Sequence, residues 1–234
     1  MRNRRTGALL LLLVAFSVTL FCADANSQGL PQGFVYVEEV IPGIEIELRY
    51  FTDNNFIGRK VDGYLRPRCI LTKQAARALK KVQEELNQSG LGLKIYDAYR
   101  PQRAVDHFIR WSKDLNATKM KSVHYPDVKK ENLFKDGYIA ARSSHSRGSA
   151  VDVTIVSIAG PQAGAEIDMG TDFDFFGPKS WLDNRSVSPS QRAHRLLLHT
   201  VMRKHGFKSY PKEWWHFSLM NEPYPRTYFD FPVQ

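Results

Sequence analysis

Residues 150–157, AVDVTIVS, form a β-branched run with a single carboxylate inside it. Valine and isoleucine at this density read as a strand packed into a core. Asp152 lies between Val151 and Val153, so its side chain leaves the face on which those two pack. A carboxylate in such a strand is costly to bury alone, so the fold must bring it a partner or a metal. The chain just upstream offers a partner. In SSHSRGSAVD, His145 stands seven residues before Asp152, a spacing that points the two to opposite faces of one continuous strand. Gly148 breaks the stretch and residues 143–147 read as a loop, so a turn at the glycine can fold His145 back over the start of the strand. Taken alone, the pair suits a metal site and a simple Asp–His hydrogen bond equally well.

A third side chain changes that balance. His216 lies in the aromatic strand of KEWWHFS, with Glu213 three residues before it. Two histidines and an aspartate give zinc three N/O ligands and leave the fourth position for water, as in catalytic rather than structural sites. A carboxylate outside that set can take the proton of an acidified water, and Glu213 is the candidate. Trp214 and Trp215 either exclude water from such a site or simply pack the core. Hydrolysis also needs a positive group for a developing oxyanion. Arg100 in YDAYRP, at the end of a strand and just before Pro101, can supply one, although the chain has many arginines. His107, His124, His194, His199 and His205 have ordinary polar or packing explanations.

The first residues read as a leader. A basic start, MRNRR, precedes the apolar run ALLLLLVAFSVTLF and the small-residue pattern of CADA. That order is the order of a secretory signal peptide, with cleavage expected after about Ala25. The apolar run is shorter than the roughly 20 residues a membrane helix needs, so no span is expected after cleavage. The expected organisation is a signal peptide over 1–25 and one catalytic domain over 26–234, exported to the periplasm or secreted. Cleavage removes Cys22 and leaves Cys69 alone in RCILT. This excludes an internal disulfide and a Cys-rich structural zinc site, and a buried, inert thiol is expected. The net charge of +9 falls to about +7 once Arg2, Arg4, Arg5 and Asp24 are gone. Basic residues are interleaved with acids and no nucleic-acid motif is present. A positive surface suits partners bearing carboxylates or phosphates.

The remaining pattern mixes strands and helices. FVYVEEVI and IEIELRY read as strands joined by a PGI turn, and LGLKIYD as another. LTKQAARALKKVQEELNQSG is helical, with Thr72 as cap, Ala75, Leu79, Val82 and Leu86 on one face, and Gly90 past the end. PQRAVDHFIRWSKDL is a helix with Pro101 in its first turn. In SPSQRAHRLLLHTVMRKHGF, Ser188 is the cap, Pro189 the first residue, Ala193, Leu197 and Val201 the apolar face, and Gly206 the stop. Residues 117–138 and 172–188 read as long loops, which in compact domains often carry function. Close hairpins at the N-terminus predict antiparallel pairing. The expected fold class is α+β, a single domain whose central antiparallel sheet carries the site and is flanked by helices.

SSHSRGSAVDVT followed by EWWHF resembles the zinc D-alanyl-D-alanine dipeptidases, within the wider group of lysostaphin-type and D-alanyl-D-alanine peptidases. The shared pattern is His-x6-Asp and then Glu-x2-His, here His145 and Asp152, then Glu213 and His216. NFIGRKVDGY, YDAYRPQRAV and DMGTDFDFFG extend the likeness through nearly all of the mature chain. The resemblance implies one zinc per chain held by His145, Asp152 and His216, with Glu213 as base and proton shuttle. It implies that Arg100 stabilises the transition state, that Ser143 helps hold the substrate's amino end, and that Asp174 lines or braces the pocket. The implied reaction is hydrolysis of a small D,D-dipeptide to free D-alanine in cell-wall metabolism. Competing readings are a D,D- or L,D-carboxypeptidase or endopeptidase on peptidoglycan stems, and a zinc-containing cell-wall binding module without catalysis.

Overall fold

The computed structural model describes residues 29–234, so the expected signal peptide lies outside the described residues. In chain order the elements are β1 (Phe34–Tyr36), α1 (Val37–Val40), β2 (Glu45–Ile46), β3 (Ile70–Thr72), α2 (Lys73–Asn87), β4 (Leu91–Asp97), α3 (Gln102–Lys113), α4 (Lys121–His124), β5 (Ala150–Ser157), α5 (Pro189–Lys204), β6 (Phe207–Tyr210) and β7 (Glu213–Leu219). Five strands form the main sheet in the order β2-β4-β5-β7-β6, and β1 pairs with β3 in a two-stranded sheet. Strand β5 is central and is buried from Ala150 to Val156, as its valine-rich sequence requires. Residues 31–234 make one compact α+β unit, and none of the described helices is long and apolar enough to cross a membrane.

The N-terminal hairpin does not form. Val37–Val40 closes a single helical turn, and β1 pairs instead with β3, antiparallel. Strand β2 joins the edge of the main sheet parallel to β4, whereas β4, β5, β7 and β6 are antiparallel to their neighbours. Val37 donates its backbone N–H to the Cys69 carbonyl at 2.8 Å, a partner the sequence does not announce. Cys69 itself is buried, and burial pushes its thiol up, away from reactivity.

Helix α2 follows its sequence closely. The Thr72 hydroxyl accepts from Ala75 N at 3.3 Å, and Ala75, Leu79, Val82 and Leu86 are buried. Each large side chain so buried contributes roughly 1.5–3 kcal/mol. Helix α3 begins one residue later than expected, with Pro101 just outside it. Helix α5 has its Ser188 cap, reciprocated by Gln191, but its buried face is rotated. Leu198, Val201, Met202 and Arg195 face inward, while Ala193 and Leu197 are exposed. The reason is hydrogen bonding. Arg195 donates from Nε to the Met169 carbonyl at 2.7 Å and from Nη1 to the Trp181 carbonyl at 2.9 Å, satisfying a segment that has no strand partners.

The last residues run back as a strap beneath the loop that carries His145. Phe229 N donates to Ser146 O at 2.8 Å, the Tyr99 hydroxyl to Phe231 O at 2.9 Å, and Val233 N to Gly63 O at 2.8 Å. Phe34 packs edge-on against Phe229 and Phe231 with ring centres 5.0 Å apart. Gly148 touches this cluster. Its φ is +77° and an added Cβ would lie 2.2 Å from the Phe34 ring, so only glycine makes the turn.

Candidate active site

The sheet register lines up three polar residues in one row. Asp97 of β4 stands opposite Asp152 of β5, and Asp152 stands opposite His216 of β7. Directly opposed residues share a face, so the row presents two carboxylates and an imidazole together. A register shift in β4 between Ile95 and Asp97 is what brings Asp97 into it. The fourth member arrives from the loop. Ser144–Arg147 forms a tight helical turn whose N–H at His145 is capped by Ser143 Oγ at 3.2 Å, and Gly148 ends it in the left-handed conformation. The turn folds His145 back over β5, so that Nε2 lies 3.2 Å from Asp152 Oδ1. His216 Nδ1 lies 3.0 Å from the same oxygen and 3.0 Å from His145 Nε2.

The outer ring nitrogens show which inner atoms are free to bind. His145 Nδ1 is 2.6 Å from the Ala98 carbonyl, which can only accept, so Nδ1 carries the proton and Nε2 turns its lone pair inward. His216 Nε2 is 3.1 Å from Ser144 Oγ and 3.3 Å from Ser218 Oγ, leaving Nδ1 facing the carboxylate. One ligand atom from each of His145, Asp152 and His216 therefore converges, all within 4.8 Å of one another. Two imidazoles and one carboxylate, each with its outer polar atoms engaged, form a donor set that fits zinc. Burial alone would raise the Asp152 pKa, but His145 and His216 hold the carboxyl far below its usual range, keeping it anionic.

Glu213 faces the same cavity, with Oε2 3.9 Å from His216 Nδ1. In a regular strand residues three apart point to opposite faces. Here the pairing of β6 with β7 is irregular between Ser209 and Tyr210, and the bend lets Glu213 and His216 look the same way. Burial pushes the Glu213 carboxyl up to about 7, with His216 pulling the other way. Arg100 reaches in from the end of β4. Its Nε donates to Asp97 Oδ2 at 2.9 Å, and its Nη2 lies 3.5 Å from Asp152 Oδ2. Its guanidinium carbon sits 4.8 Å from the Tyr50 ring centre and 5.1 Å from that of Phe108. Asp174 is buried and accepts from the Tyr50 hydroxyl at 2.8 Å. Its φ of +60° is uncommon for a non-glycine residue and costs of order 1 kcal/mol, which marks a conformation held for a reason.

All seven residues singled out in the sequence, namely Arg100, Ser143, His145, Asp152, Asp174, Glu213 and His216, line one cavity of about 220 Å³. That is below the roughly 300–1,000 Å³ of sites for drug-sized ligands, and it suits a very small substrate. Asp97 escaped the sequence reading, although it lies three residues before Arg100 in the same YDAYRP motif. It is fully buried, accepts from Tyr64 at 2.5 Å and from Arg100, and has Oδ2 3.4 Å from His145 Nδ1. It therefore braces the arginine and one imidazole at once. Tyr50, Tyr138 and Tyr210 also line the cavity and carry no sequence signal beyond being aromatic.

Comparison with known proteins gives a consistent picture. Residues 31–234 match the M15 peptidase family model described as D-ala-D-ala dipeptidase. The chain is 44% identical over 200 residues to the D-alanyl-D-alanine dipeptidase of Streptomyces coelicolor, an alignment covering 86% of this chain and 98% of that one. It is 38% identical over 204 residues to the D-alanyl-D-alanine dipeptidase of Enterococcus faecalis, covering 87% of this chain and 100% of that one. Among solved structures, a zinc complex of a mutant of the vancomycin-resistance D,D-pentapeptidase VanY aligns with a TM-score of 0.40 at 14% identity, covering 68% of this chain and 77% of its own.

Proposed function

The chain belongs to the M15 peptidase family of D-alanyl-D-alanine dipeptidases and is a peptidase, and from that premise we propose that it hydrolyses the D-alanyl-D-alanine dipeptide to free D-alanine with one zinc ion held by His145, Asp152 and His216. The observation that carries this reading is the convergence of those three ligand atoms in a small cavity that also holds Glu213 and Arg100. When bound, zinc supplies a Lewis acid and an acidified water at neutral pH. Glu213 lines the cavity beside the ligand set without belonging to it. It takes a proton from the attacking water and passes it to the departing amine. Arg100, fixed by Asp97, offers a permanent positive charge to the oxyanion that develops on the peptide carbonyl. Asp174 and the Ser143 hydroxyl accept hydrogen bonds from the substrate's ammonium end. Trp214 and Trp215, in the same strand as His216, are buried and keep that strand dry.

The setting is part of the proposal. The basic start and apolar run of residues 1–25 support export to the periplasm or beyond, where the enzyme meets dipeptide released during wall turnover. Scavenging fits that place better than intercepting dipeptide before it enters wall precursors, which is a cytoplasmic task. Recovery of the uncleaved chain in the cytoplasmic fraction would reverse this.

The test uses purified protein lacking residues 1–25, assayed for D-alanine release from D-Ala-D-Ala and from a pentapeptide ending in D-Ala-D-Ala, with and without chelator. Chelator-sensitive release from the dipeptide alone is expected. Release from the pentapeptide would move the protein to the carboxypeptidases, and release from neither would leave a binding module. Glu213→Ala is expected to retain zinc and lose hydrolysis by at least roughly a hundredfold; near-normal turnover would remove Glu213 from its role.

A further inference from the structure

A dipeptide is a zwitterion, so a site selective for it needs a cation for one end as well as an anion for the other. Apart from the two histidines of the ligand set, two cationic side chains line the cavity, Arg100 and Arg142. Arg100 is already engaged by Asp97 and lies beside Asp152. Arg142 is different. Among the described residues its guanidinium has no carboxylate partner, and it rests 4.8 Å from the ring centre of Tyr228. A second arginine beside that ring is instructive. Arg147 lies 5.6 Å from the same ring centre but is neutralised by Glu222, through two bonds of 2.8 Å each. Two arginines thus share one tyrosine, and only one of them has its charge answered within the protein.

Arg142 is also well placed. It directly precedes Ser143, the cap of the turn that carries His145, so its backbone is tied to the ligand loop. It is exposed at the lip of the cavity, where a neighbouring groove with Gln102 and Arg226 begins. A guanidinium whose planar fork is free and whose position is steadied by an aromatic ring is built to receive a carboxylate. We infer that Arg142 is a specificity residue that binds the C-terminal carboxylate of the substrate. The inference rests on the dipeptidase reading and deepens it: Arg142 selects peptides whose scissile bond lies one residue from a free carboxylate.

The experiment compares D-Ala-D-Ala with its C-terminal amide on the zinc-loaded enzyme. The native protein should prefer the free acid in kcat/KM by roughly 10- to 100-fold, the worth of a charge-assisted contact. Arg142→Ala should raise KM for the free acid by a similar factor, leave kcat within a few-fold, and leave hydrolysis of the amide unchanged. Arg142→Lys should keep part of the preference, and Arg142→Gln should behave like alanine if the first variant proves unstable. An unchanged acid-to-amide ratio in Arg142→Ala or Arg142→Gln would overturn the assignment while leaving the dipeptidase reading standing. Hydrolysis of neither compound by the native protein would overturn both.

Discussion

Arg100 and Arg195 are both withdrawn from water, yet one sits among carboxylates and the other among carbonyls. Arg100 bonds Asp97, approaches Asp152, and is roofed by Tyr50 and Phe108. Burial would lower its pKa, but Tyr50 and Asp97 outweigh it and fix the charge. Arg195 is 1% exposed and, among the described residues, bonds only the carbonyls of Met169 and Trp181. With no carboxylate in contact, burial pulls its guanidinium down to about 10, still charged at neutral pH. The difference separates two uses of one side chain. A cation held by carboxylates at the edge of a cavity can turn towards new negative charge on a substrate. A cation held only by carbonyls ties chain segments together, here the two ends of the stretch that presents Asp174.

The sharpest way to break this comparison is to remove each guanidinium in turn. Arg100→Met is expected to lower kcat by roughly 10²- to 10³-fold, the cost of losing an oxyanion partner, with zinc still bound at one per chain. Turnover within tenfold of native would place Arg100 with Arg195 as a structural group. Arg195→Met is expected to cost about 2–4 kcal/mol of stability, read from the urea midpoint, because buried carbonyls lose a charged donor. The folded fraction should keep turnover within about tenfold. An inactive variant with an unchanged midpoint would show that Arg195 acts on the site directly. The smallest effect is expected where charges meet in water. Glu85 of α2 bonds Lys204 and His205 at the end of α5, and these hold its carboxyl below the usual range. A depressed carboxylate stabilises the fold above its unfolded pKa, and that contribution is lost as pH falls through the folded value. Native protein should therefore melt slightly above Glu85→Gln at neutral pH, with the gap closing in acid. A gap that persists in acid would mean that the ion pairs are not its cause.

Where local chemistry decides, the sequence was sufficient. The α2 face, the Ser188 cap, the buried strand β5 and the turn at Gly148 all follow from residues close together in the chain. The cluster of His145, Asp152 and His216 was legible for a related reason, since an acid in a valine strand demands a partner. What escaped depends on distant partners. Strand β2 is parallel because β4 offers an edge, and no local pattern encodes that. The α5 face turned because carbonyls elsewhere needed Arg195, which overrode the pairing of Ala193 with Leu197. The two register irregularities, in β4 and between β6 and β7, set Asp97 against Arg100 and His145 and turn Glu213 to the cavity. A strict period-two reading sends Glu213 to the opposite face from His216.

The strap that bonds Ser146 from beneath has a consequence for the order in which the protein is made. A chain elongated only as far as β5 already has His145 and Asp152, but strand β7 has yet to supply His216, and Phe229 has yet to clamp the loop from below. The centre is thus completed by its last-synthesised parts. A partly made chain holds an incomplete ligand set, and the whole cluster forms only after residues far apart in time have met.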